Sequence, residues 1–380
     1  MLPRAPPRLR QTGRVPDLTD GGAPARTRWV LHVDLDQFIA AVEVLRHPEL
    51  AGRQVVVGGR GDPTERGVVS TASYEARALG VGSGMPLRIA ARRAPEAVFL
   101  PVDHAAYDAA SAEVMATLRA VPEVRVQVLG WDEAFVGATT DDPEALAHRL
   151  RQEVLDRTRL HCSVGIGDTT VRAKVATGFG KPRGVFRLTR ENWLTVMGER
   201  PTVELWGVGR RISARLATLG ITTVADLAGA DPEVLAGEFG PRMGPWYRQL
   251  GRGEGAHEVD DTPWVARGHS RERTYQQDLV DRDRIQEEVR GLVSAVLDDV
   301  AVEGRPVVRV TLKVRYAPFF TRSYGRKIAV THDRQRVTDA ALALAERIDP
   351  DRPVRLLGVH AEMEMPPGSR EGTTPTRSAW

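Results

Sequence analysis

Two short strand-like runs that end in acidic residues constrain this chain more than any other feature of its sequence. Residues 29–33 (WVLHV) are mostly apolar and lead into an Asp-x-Asp pair that begins at Asp34. Residues 124–129 (VRVQVL) alternate like a strand and are followed, after Gly-Trp, by Asp132 and Glu133. A carboxylate at the end of a buried strand is costly unless it is paired or binds a metal. The pattern therefore predicts that these three acids meet at one edge of a sheet, where they could hold two divalent cations.

Three sequence motifs follow one another along the chain: VDLDQF at residues 33–38, SYEAR at 73–77 and WDEAF at 131–135. In this order they resemble the signature motifs of the Y-family DNA polymerases, and most closely those of the bacterial polymerase IV, or DinB, branch. The resemblance extends from about residue 28 to about residue 365. An isolated Asp-Glu pair is usually a solvated turn, but acidic pairs within these motifs favour a catalytic role.

The resemblance implies a template-directed, low-fidelity DNA polymerase of the translesion type. Such an enzyme extends the 3′-hydroxyl of a primer on primer–template DNA by two-metal phosphoryl transfer from deoxynucleoside triphosphates. Asp34, Asp132 and Glu133 are then the catalytic acids. Together with the backbone carbonyl of Leu35 they are expected to bind two Mg²⁺ ions, with Mn²⁺ as an alternative. Asp36 is expected to be structural, because it lies two residues beyond Asp34 and points off the strand.

The resemblance also implies a binding site for the incoming nucleotide. The residues expected there are Phe38, Ile39, Thr71, Tyr74, Arg77 and Lys181. Thr71, Tyr74 and Arg77 are spaced three apart, and on a helix this spacing would put all three on one face as a triphosphate clamp. Lys181, within Lys-Pro-Arg-Gly, would supply a point charge for a β- or γ-phosphate. The alternatives, a surface Tyr-Arg pair and an exposed turn lysine, remain open.

One position departs from the family pattern. Most members carry Tyr or Phe where this chain has Ile39, and in the family that ring excludes the 2′-hydroxyl of a ribonucleotide. Isoleucine is shorter than an aromatic residue and, being β-branched, is stiff at χ1. Apolar pockets reject an added hydroxyl by only about 10²-fold. We therefore expect weakened exclusion of ribonucleoside triphosphates, unless Phe38 or Tyr74 fills the space.

Composition and the resemblance together divide the chain into domains of a right-hand polymerase that combines α/β and α+β architecture. The predicted divisions are a disordered tail (1–27), a palm (28–36 and 103–189), small fingers (37–102), a helical thumb with a helix-hairpin-helix (190–257), a linker (258–267), a β-α-β-β-α-β little finger (268–365) and a flexible tail (366–380). The alternation of strands and helices in the palm also suggests that helices cover one face of its sheet.

Two regions are expected to bind the DNA backbone. The turn of Gly207 and Gly209 exposes backbone amides that can hold a phosphate without reading sequence. In the last domain, segments 268–275 and 305–329 contain nine Arg or Lys and one acid, whereas segment 278–303 contains eight acids and three bases. A sheet with acidic helices behind it would thus present a basic face to duplex DNA. The contacts expected on that face are Arg309, Lys313, Arg315, Arg322 and Arg326.

Composition limits the location and the partners of the protein. The net charge is only +3, so the distribution of charge rather than its total points to nucleic acid. The single cysteine, Cys162, permits no disulfide and fits a cytoplasmic protein. No apolar run reaches the roughly 20 residues of a membrane span. As a separate expectation, the protein is a monomer. No Gln-Leu-x-Leu-Phe-like peptide for a sliding clamp is found, which leaves clamp binding in doubt.

Two other classes of protein remain as alternatives. A non-catalytic adaptor with a polymerase-like fold would be expected to have lost acids, whereas all three are present here. A nucleotide cyclase also uses a carboxylate palm with two metals, but it has no use for a helix-hairpin-helix or a basic sheet. Primer extension with Mg²⁺ distinguishes the three classes, since only a polymerase lengthens a primer according to its template.

Overall fold

The computed structural model describes residues 28–367, which form twelve strands and thirteen α-helices. The predicted tail 1–27 and most of the predicted tail 366–380 lie outside the described residues. The strands are β1 (Arg28–Leu35), β2 (Val55–Val57), β3 (Thr71–Ala72), β4 (Val98–Leu100), β5 (Val124–Val128), β6 (Glu133–Thr139), β7 (Cys162–Gly167), β8 (Val185–Leu188), β9 (Gly268–Leu279), β10 (Val307–Tyr316), β11 (Phe320–Thr331) and β12 (Val354–Met363). The helices are α1 (Phe38–Arg46), α2 (Tyr74–Ala78), α3 (Leu87–Arg93), α4 (His104–Ala120), α5 (Pro143–Thr158), α6 (Thr170–Gly180), α7 (Trp193–Met197), α8 (Arg210–Thr218), α9 (Val224–Gly229), α10 (Pro232–Phe239), α11 (Met243–Gly251), α12 (Arg282–Glu303) and α13 (Arg334–Ala345). None of these helices is long and apolar enough to cross a membrane.

The first strand forms the centre of the palm sheet, whose order is β5-β6-β1-β7-β8. β1 pairs antiparallel with β6 on one side and with β7 on the other. Leu31, Val33 and Leu35 lie in a buried cluster with residues of α4 and α5, whereas Val30 and His32 are buried on the side of α6. A strand without apolar alternation is typical of burial on both faces. The prediction that helices cover only one face of this sheet was therefore wrong.

The fingers contain a smaller sheet in the order β3-β2-β4. β2 is antiparallel to β3 and parallel to β4. Val56, Ala72 and Leu87 belong to a buried cluster of this domain, to which α2 and α3 also contribute. β3 has only two residues because the segment before it pairs instead with the loop before α3, where Val69 N donates to Met85 O at 2.8 Å.

The thumb consists of α7 to α11 and packs against the palm through α6. Its buried cluster joins thumb residues such as Trp193 and Leu216 to Val171 on α6. α8 and α9 form the predicted helix-hairpin-helix, and α10 and α11 form a second helix pair beside it. A reciprocal cap between Thr223 and Asp226 fixes the start of α9 and thereby the turn between the first two helices.

The little finger contains a four-stranded antiparallel sheet in the order β11-β10-β12-β9. The buried side of this sheet packs against α12 and α13, so the predicted order of strand, helix, strand, strand, helix, strand is observed. In β10 the buried row contains Val310, Leu312 and Val314, as a period of two requires. The register shifts just after Val307, which is therefore buried as well.

The predicted linker, residues 258–267, is not wholly free of the palm. Val259 is buried in a cluster with Val30 and Phe135 of the palm sheet. A Cβ added to Gly137 would lie 2.9 Å from the Val259 Cβ, so glycine is what allows this close approach. The linker therefore packs on the α6 side of the palm sheet at this point.

Candidate active site

The end of β1 meets the start of β6, and this brings the three predicted acids together. Asp34 lies directly opposite Glu133 in the antiparallel register. Leu35 N donates a hydrogen bond of 2.8 Å to the carbonyl oxygen of Asp132, which holds that residue beside the pair. All three acidic side chains are half-buried at the border of the sheet. We refer to Asp34, Asp132 and Glu133 as the acidic edge.

The acidic edge concentrates negative charge. Burial, together with the charges of Asp34 and Glu133, raises the pKa of Asp132 to about 6. Burial acts on Glu133 too, but a hydrogen bond with His32 and the charge of Lys174 outweigh it and lower the pKa of Glu133 to about 2. The charged form of Asp132 is therefore destabilised by its surroundings, whereas that of Glu133 is stabilised.

Two lysines provide positive partners for the other two acids. Lys181 Nζ lies 2.5 Å from Asp34 Oδ1, and Lys174 forms an ion pair with Glu133. Lys181 is the residue predicted to bind phosphate, whereas Lys174 was not predicted. Lys174 lies on α6, whereas Lys181 is the extended C-cap residue just beyond that helix, so helical periodicity alone does not bring the two lysines together. Within residues 28–367 no group of three His, Cys, Asp or Glu side chains is arranged to hold a metal ion, so metal binding stays a prediction.

The sequence analysis also missed His32. This residue is fully buried, and burial lowers its pKa. Its Nε2 lies 3.2 Å from Glu133 Oε2 and its Nδ1 lies 2.8 Å from Thr177 Oγ1 on α6. His32 thus links the Glu133 carboxylate to Thr177 on α6 and fixes its position. The sequence did contain a signal for His32. Alternate residues of a strand share one face, and Asp34 follows His32 by two residues.

Asp36 occupies a different environment from the acidic edge. It is buried and accepts hydrogen bonds from Ser163 Oγ (2.9 Å), Tyr74 OH (3.0 Å) and the backbone N of Arg183 (2.8 Å). A buried carboxylate with three donors has its charge compensated within the protein. This arrangement is consistent with the structural role expected for Asp36.

The predicted triphosphate clamp is only partly assembled as expected. Thr71 is buried in β3, before α2 begins, so Thr71, Tyr74 and Arg77 do not share one helical face and that prediction was wrong. Tyr74 donates its hydroxyl to Asp36. Arg77 Nε donates to Ala72 O at 2.8 Å, and its guanidinium carbon lies 5.3 Å from the Tyr74 ring centroid. Tyr74 and Arg77 therefore remain adjacent and have fixed orientations.

Phe38 and Ile39 form the first turn of α1. The chain turns from β1 into this helix at Gln37, which has the left-handed conformation (φ 46°). Gln37 Oε1 accepts a hydrogen bond of 2.6 Å from Tyr74 N, which ties the fingers to this turn. Phe38 is 3% exposed and Ile39 is 5% exposed, and both pack in the palm cluster.

A cavity of about 520 Å³ opens beside the acidic edge, between α6 and the thumb. Its charged and aromatic lining residues include Asp34, Lys174, Lys181, Arg200 and Trp206. Lys174 Nζ lies 5.5 Å from the Trp206 ring centroid. Lysine and arginine beside an aromatic ring suit the phosphates and bases of a nucleic acid strand.

The open face of the little-finger sheet carries the predicted basic residues only in part. Arg309, Lys313 and Arg315 alternate with the buried row of β10 and lie on the face opposite the helices. Two acids share that face: Lys313 Nζ is 2.8 Å from Glu272 Oε1, and Arg309 Nε is 3.2 Å from Glu362 Oε2. The open face is therefore less basic than the count of its arginines and lysines suggested.

Arg322 and Arg326 lie on the other face of the sheet. Arg322 is paired with Val314 and Arg326 with Val310 in the register of β10 and β11. Directly paired residues of an antiparallel sheet project to the same side, and here that is the side of the helices. Both arginines are exposed because β11 is the edge strand. Their assignment to one basic face with Arg309 was wrong.

The two thumb glycines differ in what surrounds them. Gly209 is the N-cap residue of α8, and a Cβ added there would meet no atom within 4 Å. Gly207 has φ 90°, and an added Cβ would lie 2.9 Å from the Trp246 ring. Gly209 therefore presents an open helix N-terminus that suits a phosphate, whereas Gly207 is required by backbone conformation and packing.

Sequence models of three protein families match the chain. The impB/mucB/samB family matches residues 33–178, its C-terminal domain matches residues 266–371, and the DNA polymerase-iota thumb domain matches residues 203–254. DNA polymerase IV 2 of Mycobacterium tuberculosis is 50% identical over 344 residues, which cover 89% of this chain and 99% of that protein.

Solved structures of Y-family polymerases are similar to this chain. A Y-family DNA polymerase chimera of Dbh and Dpo4 has a TM-score of 0.77 at 25% identity, covering 88% of this chain and 98% of the chimera. An insertion ternary complex of Dbh DNA polymerase has a TM-score of 0.59 at 25% identity, covering 89% and 99%. These matches confirm the predicted fold class.

Proposed function

The chain belongs to the impB/mucB/samB family of Y-family DNA polymerases, and from this premise we propose that it adds nucleotides at the acidic edge. It is a DNA-directed DNA polymerase of the translesion, DinB type. The observation that carries the proposal is the strand register that sets Asp34 opposite Glu133, with Asp132 beside them. The substrates we assign are primer–template DNA and deoxynucleoside triphosphates, supported by the ternary complex solved for Dbh.

The acidic edge and the carbonyl oxygen of Leu35 are proposed to hold two Mg²⁺ ions, with Mn²⁺ as an alternative. The donor set fits, because carboxylate and carbonyl oxygens are the ligands that Mg²⁺ prefers. Burial and the charges of Asp34 and Glu133 raise the pKa of Asp132, and a bound cation would stabilise the charged carboxylate against both. When bound, such ions lower the pKa of the primer 3′-hydroxyl and stabilise the leaving pyrophosphate.

We assign Lys181, Tyr74 and Arg77 to the triphosphate, and we assign the buried residues Phe38 and Thr71 to the same nucleotide site. The Lys181 ammonium group lies at the acidic edge and also lines the adjoining cavity, so it can hold a phosphate oxygen against the catalytic acids. The hydrogen bond from Arg77 Nε to the backbone fixes the plane of its guanidinium group. A fixed guanidinium plane favours bidentate contact with phosphate.

Ile39 is proposed to exclude ribonucleotides weakly. An aliphatic side chain packed in the palm cluster stands where family members carry an aromatic ring. We take both neighbouring rings to be committed elsewhere, because Phe38 is buried in the same cluster and the Tyr74 hydroxyl is held 3.0 Å from Asp36. Discrimination against the 2′-hydroxyl should therefore fall below the roughly 10²-fold that a well-packed apolar pocket gives.

Single-nucleotide insertion tests the role of Ile39. We would compare ATP with dATP opposite template T for the parent protein, for Ile39→Phe and for the aliphatic control Ile39→Leu. The parent and Ile39→Leu should use ATP within about 10²-fold of dATP, whereas Ile39→Phe should reject ATP more strongly. Strong exclusion of ATP by the parent, unchanged in Ile39→Phe, would mean that another residue forms the gate.

Duplex DNA is proposed to lie against the thumb and the open face of the little finger. The helix N-terminus at Gly209 suits one phosphate of the backbone. Arg309, Lys313 and Arg315 supply charge on the open face, where DNA phosphates would replace two carboxylates as their partners. These contacts would hold the duplex without reading its sequence.

Primer extension with each deoxynucleotide supplied alone tests the proposed function as a whole. A polymerase adds the nucleotide that is complementary to the template in preference to the other three. An adaptor would bind the same DNA and add none, and a cyclase would consume a nucleotide without a primer. Template-independent products, or none, would overturn the proposal. The predicted domain boundaries, monomeric state and cytoplasmic location stand as parts of the same proposal.

A further inference from the structure

Two glycines of β7 let α6 lie directly on the palm sheet. A Cβ added to Gly165 would lie 2.0 Å from Ala173 O and 2.3 Å from Thr177 N. A Cβ added to Gly167 would lie 2.4 Å from Ala173 N. Any other residue at either position would therefore push the helix away from the sheet. Because the helix lies this close, Lys174 on α6 can reach the acidic edge.

Three side chains surround the ammonium group of Lys174. It forms an ion pair with Glu133, its Nζ lies 3.1 Å from His32 Nε2, and the ring centroid of Trp206 on the thumb lies 5.5 Å away. The Lys174 side chain is only 14% exposed. A lysine that is buried to this extent and held by three neighbours loses most of its rotamer freedom. Its charge is therefore held at one place beside Glu133.

The side-chain contacts of Glu133 fall on one of its two carboxylate oxygens. His32 Nε2 lies 3.2 Å from Glu133 Oε2, and Lys174 Nζ contacts the same oxygen. Within residues 28–367 no side chain forms a hydrogen bond or ion pair with Oε1. One oxygen is thus held by the protein, and the other is left available to the reaction. Carboxylates that bind metals are commonly supported in this way by a second layer of hydrogen bonds.

Lys181 has a different environment from Lys174. Its side chain is 30% exposed, and within the described residues its one ion pair is with Asp34. A lysine with a single, partly exposed partner can exchange that partner for a phosphate oxygen. Lys174 would lose three contacts by doing the same. The two lysines therefore suit different tasks.

We propose that Lys174 is a positioning residue for nucleotide addition, which holds Glu133 by one oxygen and leaves the other to the reaction. The inference rests on the proposed function and adds a residue to it. A lysine at this place could instead contact a phosphate, as proposed for Lys181, or only compete with a cation for Glu133. The three roles differ in what the loss of the lysine does to nucleotide binding and to the rate of insertion.

Single-turnover insertion of one deoxynucleotide, at saturating nucleotide and Mg²⁺, tests the positioning role. Lys174→Met keeps most of the length of the side chain and removes its charge. The insertion rate should fall about 10- to 100-fold, the effect of removing a partner that orients a metal ligand. In a Glu133→Gln protein, adding Lys174→Met should change the rate by no more than about twofold, because Lys174 acts through Glu133.

Nucleotide binding without chemistry separates Lys174 from Lys181. It would be measured with Ca²⁺ and a primer that ends in a dideoxynucleotide. The affinity of Lys174→Met for the nucleotide should stay within about twofold of the parent. Lys181→Met should bind the nucleotide roughly tenfold or more weakly, because it loses a charged contact with a phosphate.

Rebuilding the lysine chemically controls for misfolding. Treatment of the Lys174→Cys protein with 2-bromoethylamine restores an ammonium group at the same number of atoms from the backbone, with sulfur in place of Cγ. The one native cysteine, Cys162, is buried, and burial raises its pKa to about 12, so it should not react. The treated Lys174→Cys protein should recover insertion, whereas treated Lys174→Met should not.

Several results would overturn the inference. Normal or faster insertion by Lys174→Met would mean that the lysine only competes with a cation. A full further loss in the Glu133→Gln protein would mean that it acts on its own, and nucleotide binding weakened as in Lys181→Met would mean a phosphate contact. Failure of the rebuilt side chain to restore insertion would also overturn it. A parent that inserts no nucleotide would overturn the proposed function, and this inference with it.

Discussion

Replacing Asp132 with asparagine should stabilise the metal-free protein. Burial and two neighbouring carboxylates raise the pKa of Asp132 from 3.8 to about 6. Above about pH 7 the folded protein holds this charge at a cost of about 1.4 kcal/mol per pKa unit, or about 3 kcal/mol in total. Water around the half-buried carboxylate screens part of this cost and leaves about 2 kcal/mol. Asparagine is neutral and similar in shape, so the Asp132→Asn protein avoids it.

The stability that Asp132→Asn gains over the parent should decrease as the pH falls. Because the folded-state pKa of Asp132 is raised, the folded protein takes up a proton as the pH falls through about 6, and this relieves the cost. About half of the cost remains at about pH 5, and little remains below about pH 4. Asparagine does not titrate, so the difference in stability between the two proteins should shrink over the same range.

Urea denaturation with a chelator present, at about pH 8 and about pH 5, measures this difference. Asp36→Asn is the matched control, because Asp36 accepts three hydrogen bonds and its neutralisation should destabilise the protein at both pH values. Added Mg²⁺ should narrow the gap between the parent and Asp132→Asn, since bound ions stabilise the parent. An Asp132→Asn protein no more stable than the parent at the higher pH, or a gap independent of pH, would refute the reasoning.

The DNA-binding surfaces provide two further predictions. Changing Arg309, Lys313 and Arg315 together to glutamine should weaken the binding of duplex DNA of every sequence. DNA titrations at several salt concentrations should show a salt slope lower by about 0.9 for each phosphate that is no longer neutralised. An unchanged slope would mean that these residues face solvent. Gly207→Ala should lower the free energy of unfolding by more than about 1 kcal/mol, because of its positive φ and its contact with a tryptophan ring, whereas Gly209→Ala should change it by less than about 0.5 kcal/mol. Equal effects of the two glycine substitutions in denaturant titrations would contradict this distinction.

The acidic edge could be predicted because two independent signals agree there. Residues 29–33 form an apolar run, and the motifs around Asp34 and Asp132 place acids directly after two strands. Strand alternation contained more information than was used, since it also puts His32 on the face of Asp34. The sequence also contained a signal for the start of α2, because serine is a favoured N-cap residue. Ser73 caps this helix by accepting a hydrogen bond from Ala76 N, which places Thr71 outside it.

The orientation of β11 could not be predicted in the same way. It is an edge strand with most residues exposed on both faces, so it lacks the apolar alternation that reveals which side chains face the core. The turn of residues 317–319 sets its phase, and this phase sends Arg322 and Arg326 to the side of the helices. The cross-strand partners Glu272 and Glu362 likewise depend on a register that composition does not reveal.

The central claim is that the acidic edge performs nucleotide addition. Single-turnover insertion of one deoxynucleotide, measured beside DNA affinity, tests it most directly in Asp132→Ala, Glu133→Ala and the exposed-acid control Glu49→Ala. Insertion by the first two proteins should fall by at least 10²- to 10³-fold, about 3–4 kcal/mol, with DNA affinity unchanged, and the control should match the parent. Near-normal insertion by Asp132→Ala or Glu133→Ala, or a loss explained by weaker DNA binding, would contradict the account.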